Sequence, residues 1–198
     1  MEKGGMMAAM DHRDVDDAVA EMMRVLRPVQ ERDWEVRAGP LEWTCRETAA
    51  HVAHDLAAYA GQISGREPAA YLPFDLVVKP AAVAREVLSV VVACGAMLSA
   101  ALRVAGPDAR AWHWGPTDTT GFAALGVDET LVHTWDIAQG LGLDWTPPPA
   151  MCAGVLARLF PEAPPGDPAQ VLLWCTGRVD LPDRPRRPSS WKLRAALS

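Results

Sequence analysis

Lysine is nearly missing from this chain. Lys3, Lys79 and Lys192 are its only lysines among 19 basic residues, so arginine carries almost all the positive charge. That skew, with many Ala and Pro, fits a GC-rich coding bias better than a function. Acidic residues outnumber basic ones, 25 to 19, for a net charge of −6. With a pI near 5.3, no basic field exists to attract phosphates, which argues against nucleic acid as the main partner. Cysteine is sparse. The four, at 45, 94, 152 and 175, form no C-x-x-C pair, which argues against a zinc knuckle or a thioredoxin-type site.

Long apolar runs are also lacking. The longest, Val87 to Leu102, is interrupted by Ser89, Cys94, Gly95 and Ser99 and reads as a buried helix rather than a membrane span. Met1 to Met10 has no signal-type apolar core. The expectation is therefore a cytoplasmic protein with four free thiols and no membrane partner. No internal repeat is visible.

What is there is enough for one globular domain. The chain has 198 residues, of which 49% are hydrophobic and 22% charged. Residues 1–10 read as disordered. Asp11 to Arg32 reads as an amphipathic helix, with Val15, Ala18, Val19, Met22, Met23, Val25 and Leu26 at spacings of three and four, and with Pro28 to kink or end it. A connector containing Gly39-Pro40 follows. Thr44 and Glu47 form a capping box, predicting a second helix to about Ser64.

After a loop over 67–79, Pro80 is expected to open a third helix reaching about Ala105, apolar around most of its circumference and therefore central. Asp108 to Asp118 reads as a loop. Thr119 or Thr120 is expected to cap a fourth helix to about Gly140. Shorter helices at about 150–159 and 168–176 precede a Pro/Arg-rich tail, in which Trp191 to Arg194 is a candidate strand. The predicted fold is all-α: a four-helix bundle over 11–149 with a short helical and Pro-rich extension over 150–198.

Bundle cores are where side chains of facing helices converge on metals. On the fourth helix Glu129 and His133 are four apart and lie on one face. Such pairs are common as solvated surface pairs. Here Leu125, Val132 and Ile137 lie near the same stripe and turn the pair toward the core, where a buried Glu needs a partner or a metal. His51 supplies a third ligand where the second helix faces the fourth. Two His and one Glu leave one coordination position open for water or substrate.

His54 and Asp55 compete with His51, and His54 reads as a surface or supporting residue. Asp136 is placed to receive the free imidazole N–H of His133, or to form a surface ion pair. His113, between Trp112 and Trp114, is expected to pack against them or to line an entrance. Trp43 and Trp135 are expected in the core near the metal. Cys45, at a helix N-terminus, is either an activated thiol or a buried structural one.

Three passages carry a resemblance. They are Trp43 with His51 eight residues later; Gly126-Val127-Asp128-Glu129-Thr130-Leu131-Val132-His133-Thr134-Trp135-Asp136-Ile137-Ala138; and Leu173-Trp174-Cys175-Thr176-Gly177-Arg178 with Pro182 and Arg184-Pro185. The chain resembles the mycothiol-dependent maleylpyruvate isomerases in their N-terminal metal-binding domain, within the wider DinB-like superfamily. The resemblance covers about residues 11–190.

It implies a DinB-like bundle holding a divalent metal through His51, Glu129 and His133. Zn is first by ligand softness, with Ni, Fe or Mn suited to the same donors. It implies mycothiol or a similar thiol as cosubstrate, added to an electrophile in an isomerase or S-transferase reaction. Arg178 is the candidate for binding a carboxylate of thiol or substrate, while Arg184, Arg186 and Arg187 read as a solvated basic tail. Members with isomerase activity carry a further C-terminal domain, so the electrophile stays open. The alternatives are a non-catalytic metal-binding or regulatory protein and a metal-dependent hydrolase with His54 or Asp55 as base. A homodimer through an apolar helix face is compatible with such a bundle.

Overall fold

The computed structural model describes residues 9–188 and 193–196. The chain is mostly helical. Its elements are α1 (His12–Leu26), a 3-10 turn (Arg27–Val29), α2 (Cys45–Gly65), α3 (Ala84–Ala105), β1 (Arg110–Trp112), β2 (Pro116–Asp118), α4 (Thr119–Gly140), α5 (Pro149–Leu159) and α6 (Pro168–Cys175).

The first four long helices close a ring. α1 packs on α3 and α4, and α2 packs on the same two, so α1 and α2 are diagonal. α5 then covers α4 from outside, and α6 packs on α5. α4 is thus enclosed on the bundle side and the outer side. That is why its apolar residues run all round it, from Phe122 and Ala123 to Val127, Leu131 and Ile137.

The sequence expectation of a central third helix is therefore corrected. α3 buries Val87, Leu88, Val91 and Leu98 but leaves Met97 53% and Val104 79% exposed. It starts later than Pro80, and it is apolar over more of its length than the interrupted run Val87 to Leu102 suggests. By length and composition alone Ala84–Ala105 could cross a bilayer, yet here it packs along α2.

Local chemistry sets the helix ends. Thr44 Oγ1 accepts from Glu47 N at 3.1 Å while Thr44 N donates to Glu47 Oε2 at 2.8 Å, the capping box read from the sequence. α1 is capped likewise by Asp11 and Asp14, and it ends before Pro28. α3 begins at Ala84 rather than Pro80. The carboxylate of Glu86 accepts from Val83 N at 3.0 Å and fixes the start there, leaving Pro80 in a turn. α4 is capped by Asp118, not by Thr119 or Thr120. Asp118 Oδ1 accepts from Gly121 N at 2.8 Å and from Arg158 Nη2 at 2.8 Å, tying α5 to the start of α4.

The segment expected as a loop over 108–118 is a small antiparallel hairpin, with Arg110 opposite Asp118 and Trp112 opposite Pro116. Trp114 at φ 59° and Gly115 at φ 139° make its turn. The turn delivers His113 into the interior. Of the tail, Trp191 and Lys192 of the candidate strand lie outside the described residues, and Leu193 and Arg194 are not in a strand. Ala195 is buried, with its N–H donating to His113 Nδ1 at 3.3 Å. At the other end, residues 1–8 lie outside the described residues. Met10, expected as disordered, is buried against Gly154 of α5.

A strap over residues 66–83 crosses the outside of α2. Gly61 and Gly65 let its side chains reach the helix backbone. A methyl at Gly61 would run into the Phe74 ring, and one at Gly65 would lie 2.9 Å from Leu72 Cδ1. Gln62, buried between those glycines, donates to Ala70 O at 2.8 Å and accepts from Leu72 N at 2.9 Å.

Candidate metal centre

α2 presents His51, Asp55, Tyr59 and Gln62 at i, i+4, i+8 and i+11, one stripe of the helix. α4 presents Glu129, His133 and Asp136 at i, i+4 and i+7. Because α2 and α4 pack side by side, the two stripes meet. One donor atom each from His51, Glu129 and His133 lies within 4.8 Å of the other two, close enough to share a cation. His133 Nε2 is 3.2 Å and His51 Nε2 3.7 Å from Glu129 Oε2. Asp55 Oδ2 stands 3.3 Å from His51 Nε2. Tyr59 Oη donates to Glu129 Oε1 at 3.4 Å.

A ligand imidazole needs its second nitrogen held, and that arrangement is present. His133 Nδ1 is 2.9 Å from Asp136 Oδ2, so it donates to that carboxylate and leaves Nε2 toward Glu129. Asp136 is in turn held by Arg178, through Nη2 to Oδ2 at 2.8 Å and Nε to Oδ1 at 3.2 Å. Arg178 Nη1 donates to Thr176 O at 2.7 Å. Its guanidinium thus supports the imidazole through Asp136, a role the sequence reading did not give it.

The electrostatics match two neutral imidazole donors and one anionic donor only in part. Burial pushes the His51 pKa down to about 4, and the His133 charge adds to this. Burial acts the same way on His133, but the Asp136 and Glu129 carboxylates outweigh it and raise its pKa to about 9. A cation would displace that proton from Nε2. Burial raises the Glu129 pKa, yet the bond from His133 and the charges of His51 and Arg178 leave it below its ordinary value. Asp55 moves the other way, up, through burial and the Glu129 charge.

The remaining residues singled out by sequence fall around this cluster. Trp43 is 44% exposed rather than core, its ring 4.8 Å from that of His51, where it forms an outer wall. Trp135 is partly buried. His54 reaches Asp55 at 3.8 Å and Leu76 O of the strap at 3.3 Å. His113, expected to pack against Trp112 and Trp114 or to line an entrance, lines a cavity beside α2. Its ring packs edge-on to Tyr59 at 5.8 Å and Tyr71 at 6.0 Å. Cys45 is fully buried, bonded to Ile137 O, and pushed up to about 11 by burial, so it is a packed thiol. Arg184 is exposed, as expected of the tail, and it and Arg187 lie over the Trp174 ring.

Sequence reasoning missed Tyr59, although the stripe 51-55-59 on α2 was legible. It also missed Asp128. This carboxyl is 2% exposed, has an oxygen without a hydrogen-bond partner, and is raised to about 8 by burial and then by the Glu129 charge.

Fold and site together define a helical bundle with a two-helix His/Glu/His cluster. Residues 15–138 match the family described as the mycothiol maleylpyruvate isomerase N-terminal domain, and the chain belongs to that family. No curated protein and no solved structure matches it.

Proposed function

We propose that this chain is a divalent-metal-dependent enzyme that activates a low-molecular-weight thiol, mycothiol or one like it, for addition to an electrophilic small molecule. The cation would be held by His51, Glu129 and His133. The observation that carries this is the cluster itself: three donors within 4.8 Å, with the rear nitrogen of His133 anchored on Asp136. Zn suits two imidazoles and a carboxylate, and Ni, Fe or Mn suit them too. A cation bound there supplies a Lewis-acid centre that favours thiolate over thiol.

The chain's own residues do the rest. Asp136 and Arg178 fix the ring of His133. Tyr59 holds the second oxygen of Glu129 and so orients it. Asp55, beside His51, is the carboxyl we assign to take the thiol's proton and return it to product. Whether product is an isomer or a thioether depends on whether the thiol is eliminated again. The reducing cytoplasm, where such thiols are held, is the compartment this chemistry needs, and the four free, buried cysteines accord with it.

Metal titration of the wild type and of His51→Ala, Glu129→Ala and His133→Ala tests the site. One equivalent in the wild type and none in the variants is expected. Thiol consumption with an electrophile panel then separates an enzyme from a non-catalytic metal binder. A second reading has one observation behind it: Asp55 is also placed to serve as base for a metal-dependent hydrolase. Turnover without thiol would identify that.

A further inference from the structure

Beside the triad lies a cavity of about 290 Å³, floored by α2 and roofed by the 66–83 strap. Its wall includes Asp55, Tyr59, Tyr71, Phe74, Asp75 and His113. Two of these touch the triad: Asp55 lies 3.3 Å from His51, and Tyr59 3.4 Å from Glu129. The cavity therefore adjoins the position where the thiolate would stand, and it is the place for the second reactant.

Its chemistry is one-sided. Among the described residues no Lys or Arg lines it. Its acids are Asp75, which is exposed, and Asp55, which burial and the Glu129 charge push toward its protonated form, while His54 stands 3.8 Å from Asp55 and 3.3 Å from Leu76 O. The aromatic faces of Tyr59, Tyr71, Phe74 and His113 supply the remaining character. His113 Nδ1 accepts from Ala195 N, and burial holds its pKa near 4, so the ring adds no positive charge. The arginine nearest in the motif, Arg178, is engaged with Asp136 and Thr176 O and lines a different cavity, with Arg186 and Arg187. A substrate carboxylate in the strap cavity would meet the Asp75 carboxylate and neither Lys nor Arg. An aromatic ring would find edge and face contacts, and an ammonium would gain the Asp75 carboxylate and the ring faces. The volume sits at the low end of small-molecule pockets, roughly 300–1,000 Å³.

Resting on the thiol-activating function above, we propose that this cavity seats the electrophile, and that its occupant is a small ring-bearing compound without negative charge. The sulfur forms a C–S bond to the electrophilic carbon of a conjugated double bond. The π pair moves to the neighbouring carbon, which takes the proton the thiol released. Nothing is oxidised or reduced.

The test is binding to the Zn²⁺-loaded full chain of three matched rings: benzyl alcohol, benzyltrimethylammonium and benzenesulfonate, the last chosen because a sulfonate is a weak metal ligand. The alcohol and the ammonium should bind at least tenfold more tightly than the sulfonate. Asp75→Lys should weaken the ammonium and strengthen the sulfonate, and Tyr71→Ala should weaken both preferred rings. Sulfonate binding equal to or tighter than the others overturns the proposal. So does binding of none of them, or an order that Asp75→Lys leaves unchanged. Asp75 is exposed on the strap, so its replacement does not threaten the fold. A separate assay with benzylideneacetone and thiol reads the parent function. Ring binding in the expected order without thiol consumption sinks the enzymatic reading and leaves the cavity's selectivity standing.

Discussion

Arg178 Nη2 stands 2.8 Å from Asp136 Oδ2, and Asp136 has no exposed side-chain surface. The same oxygen is 2.9 Å from His133 Nδ1. One buried carboxylate thus answers two positive or proton-donating groups. Arg178→Ala would leave that carboxylate buried without its cation. The expected loss is about 3 kcal/mol or more of stability, because removing one partner of a buried pair strands the other. Metal affinity should also fall by about 10–100-fold, the usual cost of losing a group that orients a ligand. Urea unfolding and a chelator competition read the two effects. Unchanged values in both would show that the pair does not support His133.

Gly140 closes α4 against the segment that carries Trp43. A methyl there would collide with Arg37 O and lie 2.7 Å from Cys45 Sγ and 3.1 Å from Ala38 Cα. These obstacles are backbone and a buried thiol, which cannot swing away. Gly140→Ala should therefore cost about 1–3 kcal/mol, as overpacking does. It should also loosen Trp43 over His51. Its tryptophan emission should shift with the unfolding midpoint, whereas a midpoint within error of wild type would contradict the close approach.

Asp128 makes a pH-dependent prediction. Its folded-state pKa is near 8, against an ordinary 3.8. Between those values the unfolded chain has released a proton that the folded chain keeps, so this residue's contribution to stability falls as pH rises. Asp128→Asn removes that titration. The variant should gain on the wild type between pH ~4 and ~8, by at most about 1.4 kcal/mol per pH unit, and level off above. Unfolding series at several pH values with parallel wild-type and variant curves would refute it.

Much of this was legible in the sequence, for physical reasons. The Thr44/Glu47 pair and the three-and-four spacing from Val15 to Leu26 are local signals, and the helices follow them. Glu129 and His133 share a face by helix geometry alone. Pro80, a permissive first-turn residue, points to an earlier start of α3, while the deciding bond comes from Glu86, farther along. Apolar composition points to a central α3 because it does not distinguish a buried helix from one with an uncovered face. The hairpin at 110–118 has only three residues per strand, too few for an alternation to register. The Arg178–Asp136 contact spans 42 positions, and no local pattern encodes it. Tyr59 was within reach, since it continues the His51–Asp55 stripe.

In the proposed function His51, Glu129 and His133 hold one cation, with a position left for a thiolate. Cobalt(II) loaded into the full chain and titrated with a low-molecular-weight thiol tests it most directly, by the thiolate-to-cobalt charge-transfer absorption. One bound cobalt is expected, with a band that saturates at one thiol per chain, and loss of both in His51→Ala and His133→Ala. Cobalt retained in full by those variants, or bound by the wild type without any thiolate band, would contradict it.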